Sequence, residues 1–334
     1  MNAEERVAAL DPADYSAHAL HNHERDFRES NCYVDLWIEL LHSLGLEPLA
    51  ALPCAFAVDT EGDQWTLFKF PLADLYTLYG VDVFELNVWR PLTAHFEEQL
   101  VLGRAALVEV DAFHLPDTTG TSYHVEHVKT TIGIHALDAN ARRLSYFHNA
   151  GYYELAGADF TGLFRLDDRL AAPGCLAPYV EVVKLRARAP LKGRALVGAS
   201  IEILGAHLAR CPHDNPFRRY AVRFQADLER LAGAPLAQFH SYAFATFRQC
   251  GAAFEFGAAY LRWLETNGEH GLGRTADACD AIATTAKTLQ LKTARFVNAH
   301  RSFDPAPMLD TMATAWDNAM AVLTERYGAL AHHG

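Results

Sequence analysis

The stretch NCYVDLWIELLHSLG, residues 31–45, decides the fold of the first half of the chain. Its apolar side chains recur every three or four residues, which is the spacing of a helix that buries one face. Asn31 is a residue type that caps the start of a helix, and Gly45 is one that ends it. The stretch therefore predicts a buried helix over residues 32–44, with Cys32 at its first position.

Short strands and helices are predicted around this helix. Apolar runs bounded by turn residues predict strands near residues 54–58, 65–70, 82–89, 105–111, 124–136, 143–148 and 179–187. Helical spacing predicts short helices near residues 71–79, 91–102 and 158–166. The mixture of strands and helices indicates the α+β class for this half of the chain.

The second half of the chain reads as almost entirely helical beyond the segment Ala189-Pro-Leu-Lys-Gly193. Helices are predicted near residues 194–210, 215–231, 236–265, 274–301 and 307–328. We therefore predict two domains, a mixed domain over residues 1–189 and a helical bundle over residues 190–334 that packs on it.

Composition and charge narrow the class of protein. Of 334 residues, 50% are hydrophobic and 21% are charged, which is typical of a globular protein. The formal net charge of −12 argues against nucleic acid or an anionic membrane as a partner. No apolar run approaches the ~18 residues of a membrane helix, and the acidic N-terminus lacks the apolar core of a secretion signal. A cytoplasmic location is expected.

A metal site is not predicted, although the chain has 17 histidines and 6 cysteines. The cysteines are far apart and form no C-x-x-C pair, so a zinc ribbon is disfavoured. His124 and His127 would share a face only on a helix, and their surroundings indicate loop and strand.

Cys32 is the candidate nucleophile. The thiolate is the reactive form of cysteine, and both a helix N-terminus and a neighbouring histidine stabilise it. We expect the partner histidine to come from a distant part of the sequence. We prefer His127, which opens a strand-like run directly after a loop, with His124 as the alternative base. The other reading of Cys32 is an inert thiol in the core.

Asn149 is the candidate residue that orients the histidine. It follows the strand that pairs with the run opened by His127, so its side chain could bond the second ring nitrogen and complete a Cys-His-Asn set. Asn-Ala-Gly is also ordinary turn chemistry, which leaves a purely structural role open. Asn31, or the backbone N–H of Cys32, could stabilise an oxyanion.

Three stretches carry a resemblance to a known family. They are Asn31-Cys32 with the helix to Leu44-Gly45, Val110-Asp111-Ala-Phe113-His-Leu115-Pro116 with Tyr123 and His124-Val-Glu-His127, and Phe147-His-Asn149-Ala-Gly151-Tyr152. Their order resembles papain-like enzymes of the bacteriocin-processing peptidase type. It is more similar to the N-terminal domain of the butirosin biosynthesis H protein family, over roughly residues 30–165. The whole chain is also similar to a bacterial family known only as a domain of unknown function.

The resemblance implies a papain-like acyl transferase with no bound cofactor. Cys32 would take an acyl or aminoacyl group from the phosphopantetheine arm of a carrier protein, His127 would move the proton, and Asn149 would hold the ring. The acceptor would be a small-molecule amine. The glutamine that papain-like enzymes place upstream of the cysteine is absent from residues 25–31, which favours thioester transfer over peptide cleavage. A cysteine peptidase or amidase, and a non-catalytic binding module, remain alternatives.

A basic cluster stands out in this acidic chain and could bind an acidic carrier protein. The alternative is that its side chains protect an exposed strand edge. The cluster comprises Lys184, Arg186, Arg188, Lys192 and Arg194.

Overall fold

The computed structural model describes residues 10–22, 24–167, 176–185 and 187–332. The chain divides into two compact units. Unit 1 comprises residues 1–22, 31–48 and 75–190, and unit 2 comprises residues 23–30, 49–74 and 191–334.

Unit 1 contains a six-stranded antiparallel sheet in the order β1-β6-β2-β3-β4-β5. The strands are β1 (Asp82–Glu85), β2 (Ala105–Asp111), β3 (Lys129–Asp138), β4 (Arg143–His148), β5 (Gly151–Ala156) and β6 (Val180–Lys184). The helices of this part of the chain are α1 (Cys32–Ser43), α2 (Leu72–Tyr79), α3 (Leu92–Val101) and α4 (Ala158–Leu163). The predicted α+β class is confirmed.

Helix α1 begins at Cys32 as predicted and lies on one face of the sheet. Asn31 Oδ1 accepts a hydrogen bond from the backbone N–H of Val34 at 3.1 Å, which caps the helix. Leu36 of α1 lies close to Gly133 of β3, because a Cβ built at that glycine would be in van der Waals contact with Leu36 at 3.4 Å.

The opposite face of the sheet carries the other apolar layer of unit 1. Alternate side chains of the central strands point into it and pack against α3 and α4. Its fully buried members include Phe96, Val108, Ile132, Tyr146 and Phe160.

Unit 2 is mainly helical. Its helices are α5 (Gly193–Leu208), α6 (Pro216–Leu231), α7 (Leu236–Ala243), α8 (Gln249–Thr266), α9 (Gly273–Ala299) and α10 (Ala306–Tyr327). The single helix predicted over 236–265 is interrupted by a π-helical turn at Phe244–Arg248. Gln249 stabilises this turn, because its Nε2 donates to the carbonyl of Phe244 at 3.2 Å. Within the part of the chain that the structure describes, no helix is both long and apolar enough to span a bilayer.

Residues 49–74 differ most from the sequence predictions. The strand predicted over 54–58 is part of a 3₁₀ segment, Pro48–Ala57, whose prolines remove backbone donors that a strand would need. In the region predicted as strand 65–70, the strand pairing found among the described residues is a single bridge from Trp65 to Thr60. Trp65 packs on Phe217 of α6, which explains why this segment belongs to unit 2 although the sequence assigned it to the first domain.

Candidate functional site

Cys32 is partly exposed at the first position of α1. The next residue anchors this end of the helix to the sheet, because Tyr33 Oη donates to Glu181 Oε2 in β6 at 2.8 Å. Glu181 is 6% exposed, so the bond satisfies a buried carboxylate. In the first helical turn the N–H groups of Val34 and Asp35 are bonded to Asn31, and the positive end of the helix dipole at Cys32 favours a thiolate.

His127 lies two residues before β3 and is held by Asp111, the last residue of β2. Its Nδ1 is 2.6 Å from Asp111 Oδ2, and its ring stacks on Phe113 with centroids 4.5 Å apart. Since a carboxylate only accepts, the proton of the neutral ring lies on Nδ1 and Nε2 presents a lone pair. The side chain of His127 is 72% exposed, so Nε2 is accessible.

His124, the alternative base, is held by a different carboxylate. Its Nε2 is 3.1 Å from Asp159 Oδ1, while Tyr123 donates to Asp159 Oδ2 at 2.9 Å. The backbone of His124 is in the left-handed region, with φ of 55°. With Nε2 bonded to Asp159, His124 is less available for proton transfer than His127.

A cavity of about 140 Å³ adjoins these groups. His114 lies in its wall and packs so closely on Gly162 that a Cβ there would overlap the ring. Burial lowers the pKa of His114, although the nearby Asp111 and Asp159 act in the opposite direction. The lining residues are Leu92, Glu109, Val110, Asp111, His114, His127, Gly162, Leu163, Phe164, Arg165 and Pro178.

Asn149 lies in the turn between β4 and β5, with φ of 46°. Among the described residues no hydrogen bond joins its side chain to His127, whose Nδ1 is bonded to Asp111. The role of Asn149 as the residue that orients His127 therefore stays a prediction that no described hydrogen bond supports. Asp111 was missed as a partner, although the sequence offered a signal. It closes a strand that runs antiparallel to the one that His127 opens, so the two ends meet.

Cys32 and His127 both belong to unit 1. No hydrogen bond between them is present among the described residues, so the pairing of Cys32 with His127 stays a prediction. Within the same described part of the chain, no group of three His, Cys, Asp or Glu side chains has the geometry to hold a metal ion.

Two family models match the chain. The DUF1839 N-terminal domain covers residues 16–185, and the DUF1839 C-terminal domain covers residues 193–325. The chain belongs to the DUF1839 family, a domain of unknown function. The predicted membership of such a family is confirmed, while the resemblance to the butirosin biosynthesis H protein family has no support from these matches. No curated protein matches the chain.

The basic cluster straddles the gap between the two DUF1839 matches. Lys184 ends β6 and is exposed, and the guanidinium of Arg188 lies 5.3 Å from the ring centroid of Tyr76. Lys192 and Arg194, at the start of α5, are also exposed but belong to unit 2. Arg186 lies outside the described residues. Lys184 ends β6, which lies between β1 and β2 in the described sheet, so at this position the strand is not a sheet edge; for the rest of the cluster both readings stay predictions.

Proposed function

We propose that this protein is a cysteine-dependent acyl transferase of papain-like fold, in which Cys32 carries the acyl group and His127 moves protons. The observation that carries the proposal is the 2.6 Å bond between His127 Nδ1 and Asp111 Oδ2. This bond sets the tautomer and the orientation of a solvent-accessible imidazole, as a general base requires. Asp111 takes the orienting role in this proposal, in place of Asn149.

The path of α1 supports an approach of Cys32 towards His127. Leu36 lies against Gly133, and one turn earlier Tyr33 reaches across to Glu181 in β6, the neighbour of β2. The helix passes over β3 at Leu36, and its first turn therefore lies towards β2 and β6. Asp111 and His127 line a cavity together with Leu92 of α3 and Leu163 of α4, which belong to the layer on the other face of the sheet, so in this proposal Cys32 approaches His127 at the end of β2.

The chemistry has two half-reactions. His127 Nε2 first takes the proton of the Cys32 thiol. The resulting thiolate attacks the carbonyl carbon of an acyl thioester, the carbon–sulfur bond of the donor breaks, and the leaving thiolate takes this proton from Nε2. The amine acceptor then attacks the acyl-enzyme, gives its proton to His127, and releases Cys32 as thiolate. The proposed oxyanion donors are the backbone N–H of Cys32 and Nδ2 of Asn31, whose Oδ1 accepts from the N–H of Val34 and so holds the side chain at the start of the helix.

A carrier protein is the proposed donor of the thioester, through its phosphopantetheine arm. Carrier proteins are acidic, and this chain exposes Lys184 and Arg188 at the end of unit 1. The acceptor in this proposal is a small-molecule amine. The cavity of about 140 Å³ beside His127 is the proposed site of this acceptor, whose amine is neutral when it attacks.

The test is to trap the acyl-enzyme. The full chain is incubated with acetyl-pantetheine, and the acylated residue is found by peptide mass spectrometry. We expect acylation at Cys32 and none in Cys32→Ala. Cys211→Ala is the matched control, because Cys211 is the other partly exposed cysteine among the described residues. Equal transfer by Cys32→Ala and the wild type contradicts the proposal.

The same protein separates the two rival functions. A peptidase or amidase predicts turnover of small amide substrates without any carrier. A non-catalytic binding module predicts that Cys32 reacts with iodoacetamide near pH 6 no faster than an ordinary thiol. Either result, together with no acyl-enzyme, replaces the transferase proposal.

A further inference from the structure

A second cavity, of about 230 Å³, lies entirely within unit 2. One wall is the 3₁₀ segment Pro48–Ala57, a second is the extended chain that follows it, and a third is the C-terminal end of α5. The lining residues are Cys54, Ala57, Val58, Thr66, Leu67, Phe68, Lys69, Pro71, His207 and Arg210. None of them takes part in the chemistry proposed for Cys32.

Every charged side chain that lines this cavity is positive. Lys69 and Arg210 supply the charge. Cys54 contributes a neutral thiol, because burial raises its pKa well above the ordinary value. The cavity therefore favours an anion and disfavours a cation.

Arg210 is held in place by a chain of two hydrogen bonds. Its Nη2 donates to His207 Nδ1 at 2.8 Å, and His207 Nε2 is 2.7 Å from Asp74 Oδ2. Arginine only donates, so Nδ1 of His207 must accept and Nε2 must carry the proton to Asp74. His207 is thus a neutral ring in one tautomer, and its side chain is only 2% exposed.

This arrangement pre-organises a guanidinium without neutralising it. Asp74 bonds the far nitrogen of the ring and is not among the residues that line the cavity, although its charge also contributes to raising the pKa of Cys54. A guanidinium has five N–H donors, and the bond to His207 uses one. The remaining donors have the planar geometry that suits a carboxylate.

We propose that this cavity is a binding site for a small aliphatic carboxylate. Arg210 binds the carboxylate group, Lys69 adds positive charge at the rim, and the aliphatic part packs on Val58, Leu67 and Phe68. The volume of about 230 Å³ is below the ~300 Å³ at the lower end of pockets for drug-sized ligands, so the ligand is a small metabolite.

The test measures binding of butyrate to the full chain by isothermal titration calorimetry and ligand-observed NMR. Butyramide has nearly the same shape without the charge, and butylammonium has the opposite charge. We expect butyrate to bind about tenfold or more tightly than either. Inorganic phosphate is a further arm that separates recognition of a carboxylate from recognition of any anion.

Two substitutions locate the site. Arg210→Gln is expected to weaken butyrate binding by about tenfold or more, and Lys69→Gln, on an exposed side chain that keeps the fold intact, by a smaller factor. Arg274→Gln is the matched control, because Arg274 is an exposed arginine of the same unit outside the cavity, and it leaves binding unchanged. Three results overturn the proposal: no butyrate binding to the wild type, equal loss in Arg210→Gln and Arg274→Gln, or binding of phosphate without butyrate.

Discussion

Unit 1 contains two histidine–aspartate pairs with nearly the same geometry and opposite surroundings. His127 Nδ1 is 2.6 Å from Asp111, and the ring is 72% exposed. His148 Nδ1 is 2.5 Å from Asp117, and the ring is 2% exposed. The bond between ring and carboxylate is thus the same in both pairs, and the difference lies in the second nitrogen.

The second nitrogen separates a structural role from a chemical one. Nε2 of His148 is 2.8 Å from Thr130 Oγ1, so both ring nitrogens are engaged inside the protein. Tyr146 also donates to Asp117, at 2.5 Å, which makes the buried pair part of a network that ties β4 to the loop after β2. Nε2 of His127 instead has no hydrogen-bond partner among the described residues, and the side chain is 72% exposed. A histidine with a carboxylate partner is therefore a candidate base only where its second nitrogen is accessible.

The first prediction removes the exposed ring. His127→Ala is expected to lower the rate of acyl transfer by about 10²–10⁴-fold, the range for loss of a general acid–base group. Its free energy of unfolding should change by less than about 0.5 kcal/mol, since the side chain is exposed. Transfer kinetics and urea unfolding measure the two quantities. A rate unchanged from the wild type removes His127 from the mechanism.

The second prediction breaks the buried pair. Asp117→Ala leaves the buried His148 and Tyr146 facing an empty acceptor site, so we expect a loss of about 3–5 kcal/mol in the free energy of unfolding. Urea denaturation measures it. Asp214→Ala, on a side chain that is 80% exposed, is the control and should change little. If Asp117→Ala lowers the free energy of unfolding no more than Asp214→Ala does, the buried pair does not stabilise the fold.

The third prediction concerns His21, a buried histidine with two carboxylates. Burial acts to lower its pKa, but hydrogen bonds to Asp35 and Glu39 outweigh burial and raise the pKa to about 9. The fold therefore favours the protonated ring. Its contribution to stability is complete below the unfolded pKa of about 6.5 and is lost as the pH rises through about 9.

Urea unfolding across this range tests the prediction for His21. Between pH 7 and pH 9.5 the free energy of unfolding should fall by an amount on the order of 3 kcal/mol, and His21→Gln should show a flatter profile. If the free energy of unfolding depends on pH in the same way in the wild type and in His21→Gln, then a group other than His21 causes the dependence.

The elements that could be predicted from the sequence are those whose signals are local. The cap at Asn31, the strand over residues 105–111 and the helices after residue 193 follow from periodicity and turn residues. The 3₁₀ segment Pro48–Ala57 was missed because a short apolar run fits a strand or a buried helical segment equally well. Strand β5 was missed because it follows its turn directly and carries little apolar alternation.

The candidate site depends on pairings that periodicity does not encode. His127 and Asp111 are 16 positions apart and meet only through the register of β2 and β3. His127 could be selected because it lies just before a predicted strand. Its partner Asp111 could be identified only once the pairing of β2 with β3 was known. The chain of hydrogen bonds from Asp74 through His207 to Arg210 is harder still to predict, since Asp74 lies 133 positions before His207.

The smallest effect on stability is expected at the exposed pair itself. In Asp111→Asn the side-chain oxygen can still accept from the N–H of Phe113, a bond of 3.0 Å in the wild type, and the amide can donate to Nδ1 of His127. The free energy of unfolding should change by less than about 1 kcal/mol, as for other exposed pairs.

The amide, however, forces the ring proton onto Nε2, which removes the lone pair that the proposed base needs. Acyl transfer should fall about tenfold or more while urea unfolding is nearly unchanged. If transfer is unaffected, the exposed pair is structural like its buried counterpart, and accessibility of the second nitrogen is not what distinguishes the two.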